Sequence, residues 1–192
     1  MIVVKHLFGE KTFSEILRYM NEVVPILPSA IDTQTFKRRA RHNDPFFAHL
    51  HHQLSDFASE QFKVKLKPSY SFLSMYFDGG HCPLHIDRPQ CFRTVDLLIR
   101  QTNEEPWPLQ IGPSMTDQEI EKHQQDGLAG SESVRPDDFA DQIAWQTALL
   151  EPNDAVLYSG THQWHRRPTI LSGSADLIFF HFVPEEFDGD LN

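Results

Sequence analysis

The residues of this chain best suited to chemistry are two histidines and an aspartate: His85 and Asp87 in the run His85-Ile86-Asp87, and His165 far downstream. Two imidazoles and one carboxylate hold a ferrous ion on one face and leave the opposite positions open. Side chains on a strand alternate between faces, so residues two apart point the same way. An extended His85-Ile86-Asp87 therefore aims two ligands at one ion, and the third must come from another strand. The segment from Tyr158 to Pro168 offers His162 and His165. These are three apart and face opposite ways on a strand, so only one joins the pair. His165 is preferred, because Arg167 two positions on then faces the same way. Two strand residues span roughly 6.6 Å, close to the length of a five-carbon dicarboxylic acid. A 2-oxo acid held at the metal by its oxo and first carboxylate groups would meet Arg167 with its far end. The planar guanidinium fork suits that task, because it grips a carboxylate through two hydrogen bonds. The plain alternatives are an isolated surface His-x-Asp turn and, for Arg166 and Arg167, two exposed strand charges.

The chain around these residues is of one-domain length, 192 residues, 40% of them hydrophobic, with fifteen Phe and three Trp to fill a core. Its formal net charge is −10 with histidines neutral, and its pI is near 5.5. An acidic surface disfavours nonspecific nucleic-acid binding. Two cysteines, Cys82 and Cys91, flank the His-x-Asp and do not make a disulfide scaffold. The expected setting is reducing and cytoplasmic. No apolar stretch is long enough to span a membrane, and the first residues lack the basic start and apolar run of a signal peptide.

Residues 2–8 are expected to form a strand. A helix is expected over 14–24, with Ile16, Leu17, Met20, Val23 and Val24 as its apolar stripe and Pro25 as its end. Residues 28–44 are polar and basic and read as a solvated loop; gripping an anionic substrate is a minority reading of the same run. Asp44-Pro45 has the signature of a helix start, an N-cap followed by proline at the first position. Phe46, Phe47, Leu50, Leu54 and Phe57 form the buried stripe of that helix, and His49, His51 and His52 read as a solvated or partly packed face. Beyond Pro68 the pattern turns to strands: 69–77, 94–99, 107–111, 143–149, 155–158, 161–166 and 176–183. Residues 113–141 are acidic and poor in apolar side chains, and read as an insertion with a lid as its candidate role. The expected fold is mainly β with N-terminal helices (α+β): helical support over 1–66 and a β core over 67–185, in a single domain over 1–192.

The joint pattern Tyr76, His85-x-Asp87, His165 and Arg167 resembles the Fe(II)- and 2-oxoglutarate-dependent dioxygenase superfamily. His85-Ile86-Asp87-Arg88-Pro89-Gln90-Cys91, Trp107-Pro108-Leu109 and Tyr158-Ser159-Gly160 followed by His165-Arg166-Arg167 are similar to a bacterial and viral branch of prolyl-hydroxylase-like oxygenases. The resemblance covers residues 45–185. It implies a double-stranded β-helix (jelly-roll) core, with Fe(II) bound by His85, Asp87 and His165. It further implies 2-oxoglutarate as cosubstrate with O2, and ascorbate as a candidate reductant. The cosubstrate would be split to succinate and CO₂ as a substrate C–H bond is hydroxylated, on an amino acid, peptide or protein side chain. An aspartate at position 87 disfavours halogenation, which needs a small residue there. One departure stands out. Most members carry the oxoglutarate-binding Arg or Lys about ten residues after the second histidine, next to a glycine; here Gly173 is followed by Ser174 and Ala175. Arg167, as in the narrower branch, takes that role by resemblance, with Arg93 and Arg100 as fallbacks and Tyr76 as a hydroxyl donor. Trp107 and Trp145 read as core or pocket wall, His181 as a core histidine bonded to backbone, and Arg88 as a partner for a substrate carboxylate or a loop brace. Two other readings stay open: a cupin-like metal dioxygenase or isomerase that does not use 2-oxoglutarate, and a non-catalytic β-barrel binding module.

Overall fold

A computed structural model describes residues 1–32, 36–125 and 140–192. In chain order the elements are β1 (Ile2–Val4), α1 (Glu10–Glu22), β2 (Ala30–Asp32), β3 (Arg38–His42), α2 (Pro45–Gln53), α3 (Ser55–Phe62) and β4 (Leu66–Phe77). Then follow β5 (Cys82–His85), β6 (Arg93–Gln101), β7 (Leu109–Ser114), α4 (Asp117–Gln125), β8 (Gln146–Ala148), β9 (Ala155–Tyr158), β10 (Gln163–Arg167) and β11 (Ser174–Pro184). The strands form two antiparallel sheets, ordered β1-β9-β6-β11-β4-β3-β2 and β5-β10-β7-β8. This is the double-stranded β-helix that the sequence leads one to expect.

Alternation along the strands of the larger sheet builds two different faces. On β4 and β11, Leu73, Met75, Ile178, Phe180 and Phe182 join Val95, Leu97 and Ile99 of β6 against the helical layer of Ile16, Met20, Phe47, Leu50 and Leu54. The opposite face carries Tyr76, Leu98, Val156, Tyr158, Ala175 and Leu177 and packs against Leu109 and Ile111 of the smaller sheet. The outer side of the smaller sheet is closed by Leu84, Ile86 and Trp164 with Ala140, Met115 and Ile120. The site therefore lies between the two sheets, and the helices only buttress the larger one.

Helix α2 starts as expected: Asp44 accepts a hydrogen bond from the Phe46 N–H at 3.1 Å, and Pro45 holds the first position. α1 stops at Glu22, and Val24–Ile26 continue as a short 3₁₀ turn around Pro25. One expectation is corrected. Residues 28–44 are not a solvated loop: β3 pairs with β4 inside the main sheet, and β2 pairs with β3. Arginine hid this strand, because its long apolar stem covers ring surface while its head stays polar, so neither face of β3 reads as apolar. His51 is buried, 3% exposed, with its ring 5.4 Å from Phe180 and 4.6 Å from Phe182. Of the segment 113–141, the described part holds the end of β7 and α4, whose start is a reciprocal cap between Thr116 and Glu119. The lid expected of this segment falls largely on 126–139, outside the described residues. Among the described residues no helix is long and apolar enough to cross a membrane.

Candidate metal centre and its cavity

Strand pairing sets the site. In the smaller sheet His165 of β10 lies directly opposite His85 of β5, and residues paired across a ladder share a face. Their rings are 4.2 Å apart at the centroids. Asp87 lies two residues beyond the end of β5. Its N–H donates to the Gly160 carbonyl at 2.9 Å, and its carboxylate faces both imidazoles. Asp87 Oδ1 is 3.3 Å from His85 Nε2, and Oδ2 is 3.6 Å from His165 Nε2. The ligand atoms of the three residues all lie within 4.8 Å of one another. Only glycine fits at 160, since a Cβ there would overlap the Asp87 carboxylate and crowd the Cys91 carbonyl.

The ring orientations suit a metal. His85 Nδ1 lies 2.7 Å from the Pro83 carbonyl and His165 Nδ1 lies 2.9 Å from the Gln163 carbonyl. A carbonyl only accepts, so each Nδ1 carries the hydrogen and each Nε2 is left to face Asp87. Asp87 Oδ2 is buried and has no hydrogen-bond partner, a costly arrangement unless something else meets the charge. Burial opposes ionisation of Asp87, yet the neighbouring imidazoles of His165 and His85 hold its carboxyl well below the usual carboxylate range. Burial likewise opposes protonation of His85, yet Cys82 and Asp87 hold its imidazole well above its ordinary value. A proton thus sits easily among these groups, and a divalent ion must displace it; affinity should fall as pH falls. Two lone pairs and a carboxylate oxygen without a donor fit such an ion. His162 turns away, to Asp117 Oδ1 at 2.9 Å, as the choice of His165 requires.

The three ligands open into a cavity of about 660 Å³ between the sheets. Arg167 lines it, buried at 3% exposure, which rules out the exposed-charge reading for this residue. Its Nη2 donates to Asp96 Oδ2 at 2.6 Å and its Nη1 to the Trp107 carbonyl at 3.2 Å. Burial pushes the Asp96 carboxyl up and Arg167 draws it back. Tyr76 also lines the cavity, fully buried. Burial pushes its phenol up, with Arg38 and Arg167 opposing, so it remains a neutral hydroxyl. Arg93 does not reach the cavity: it donates to Ser159 Oγ and the Phe92 carbonyl and lies over the Phe92 ring. Arg100 pairs with Asp176 and bonds Asn21, and is likewise absent from the cavity wall. His181 is buried but lines the cavity, and it bonds the Thr94 hydroxyl at 3.0 Å rather than backbone.

Sequence reasoning missed Arg38 as a specific residue. Its Nη1 donates to the Tyr76 hydroxyl at 3.0 Å, and its guanidinium rests over Phe36, Phe72 and Tyr76. Tyr76 pairs with Arg38 on one side and with Ala175 on the other. The three form one cross-strand row on the cavity side. The basic group absent from 175 thus stands two strands away in the same row. The signal was the alternation of Arg38, Ala40 and His42 against Arg39 and Arg41, which are tied to Ser29 and Asp44.

No protein-family model matches the chain, and no curated protein does. Solved structures do share its shape. The non-heme alpha ketoglutarate dependent epimerase SnoN from nogalamycin biosynthesis superposes with a TM-score of 0.70 at 10% identity, covering 95% of this chain and 77% of that one. EctD from S. alaskensis with bound Fe gives 0.70 at 13%, covering 95% and 72%. HygX from Streptomyces hygroscopicus, with nickel and 2-oxoglutarate bound, gives 0.63 at 12%, covering 97% and 83%. At these identities the likeness establishes the fold.

Proposed function

We propose that this chain is a non-haem Fe(II)- and 2-oxoglutarate-dependent oxygenase that hydroxylates a C–H bond of a small molecule or peptide. One observation carries the reading: His85 and His165 Nε2 converge with the Asp87 carboxylate in a cavity that also holds a guanidinium–phenol cluster. The folds of SnoN, HygX and EctD support it, since those proteins are described with iron, nickel or 2-oxoglutarate.

His85, Asp87 and His165 would hold the ion, which when bound supplies the site for O₂ and for oxidative decarboxylation of the oxo acid to succinate and CO₂. The far carboxylate of 2-oxoglutarate would seat at the Tyr76 hydroxyl, between Arg38 and Arg167. Arg38 is the stronger anchor of the two. No carboxylate pairs with it among the described residues, whereas Arg167 is already matched by Asp96. Tyr76 accepts from Arg38, so its own proton is free to donate to the oxo acid. Nδ1–H bonds to backbone carbonyls fix both imidazoles, and aromatic side chains (Phe36, Phe72, Tyr158, Phe179) restrict water.

The test is succinate release from 2-oxoglutarate with ferrous iron, by the wild-type chain and by Asp87→Ala. Turnover in the first and none in the second is expected; equal turnover refutes the reading.

A further inference from the structure

Three arginines face the cavity, Arg38, Arg88 and Arg167, and one carboxylate, Asp87. Asp96 neutralises Arg167. A divalent ion at His85, Asp87 and His165 adds more positive charge than Asp87 cancels. The two carboxylates of 2-oxoglutarate would answer that surplus and Arg38. Arg88 is left over, and no carboxylate pairs with it among the described residues. Arg88 is only partly buried, so water can answer its charge in the free protein, and an anionic ligand entering the cavity can pair with it in place of that water.

Arg88 is held for such a ligand. Its guanidinium lies 4.5 Å over the Tyr70 ring, and its Nε donates to the Tyr70 hydroxyl at 3.3 Å. Arg88 also interacts with the Cys91 thiol, a weak partner that a carboxylate at the terminal nitrogens would outcompete. Tyr70 in turn contacts Cys91 Sγ at 2.9 Å and is flanked by His42 and His181, with ring centroids 4.8 and 4.6 Å away. Cys91, His181 and Asp87 have side-chain polar atoms within 4.8 Å of one another. The Arg88–Tyr70 pair is therefore joined to the metal ligands by short contacts, on a different strand row from Arg38 and Tyr76. Between these two ends the walls are apolar rings, Phe72 and Phe179 among them.

We infer that the substrate is a small organic anion: a carboxylate gripped by Arg88 beside Tyr70, with an apolar body along the aromatic wall and the oxidised carbon close to the carboxylate. This rests on the oxygenase reading for the first anion site, and it adds a second anion site with its own arginine.

Calorimetry on the manganese-loaded protein, under argon and with saturating 2-oxoglutarate, compares phenylacetate with phenylacetamide. The two share a body and differ in charge. A charge-assisted hydrogen bond is worth roughly tenfold to a hundredfold in affinity, so the acid should bind wild type at least about tenfold more tightly than the amide. Arg88→Gln should remove that preference while leaving 2-oxoglutarate binding within about twofold, and Arg88→Lys should restore part of it. Equal binding of acid and amide by wild type, binding of neither, or a preference that survives Arg88→Gln overturns the inference. If 2-oxoglutarate itself fails to bind, the oxygenase reading falls. The acid–amide comparison repeated without it then decides Arg88 alone.

Discussion

Arg167 and Arg38 approach the same tyrosine from opposite sheets, yet they are different kinds of charge. Arg167 is buried with Asp96, itself fully buried, and the pair is matched within the protein. Arg38 lies on aromatic faces and, among the described residues, its hydrogen bonds go to hydroxyls, at Tyr76 and Ser74. A buried charge with a protein partner is committed to the fold, and one resting on rings and hydroxyls is available to a ligand. Position in the cavity alone does not separate the two.

The sharpest way to break this contrast is Arg167→Gln. It strands a buried carboxylate, which typically costs about 3–5 kcal/mol. Urea unfolding should show a loss of that size, largely recovered when Asp96→Asn is added. A small loss would mean that Arg167 is as free as Arg38. Next comes Arg38→Gln, which should leave the unfolding midpoint near wild type. The same change should weaken 2-oxoglutarate binding by about 1.5–3 kcal/mol, the worth of a hydrogen bond to a charged group; calorimetry on the metal-loaded protein reads it. Unchanged affinity would move the oxo-acid anchor back to Arg167.

The contrast extends to a group that burial keeps uncharged. Burial first, and then the neighbouring His181, take His51 from 6.5 to about 3. Between those values the unfolded chain binds a proton that the folded chain refuses. Stability therefore falls as pH drops through 6.5 and stops falling near 3. At about 1.4 kcal/mol per unit, unfolding free energies at pH 7 and 5 should show wild type losing about 2 kcal/mol more than His51→Leu. An equal loss in both proteins would place the acid sensitivity elsewhere.

Much of the site was legible from residue type and local spacing. Asp44-Pro45 starts α2, and the alternation of 69–77 becomes β4. Parity allowed only one of His162 and His165 to join the pair, and Arg167 two positions on favoured His165; the structure sets His165 opposite His85 and turns His162 to Asp117. The strand argument expected His85 and Asp87 to point the same way, and their side chains do meet, Nε2 to Oδ1 at 3.3 Å, with the Asp87 N–H held by the Gly160 carbonyl. Arg93 and Arg100 stood as fallbacks to Arg167 in sequence, and their partners take them out of the cavity.

The chain by itself determined which side chains are available as ligands, where its helices and strands tend to form, and which faces of them are apolar. Those are local properties, written in the alternation and spacing of neighbouring residues. Tertiary structure alone decided that His85 stands opposite His165, that Asp96 claims Arg167 across 71 positions, and that Arg38 lies in one row with Tyr76 and Ala175. Strand pairing joins residues far apart along the chain, and no local pattern encodes which strand meets which. Whether an arginine serves the fold or a ligand therefore depends on a partner that its own surroundings in sequence do not reveal.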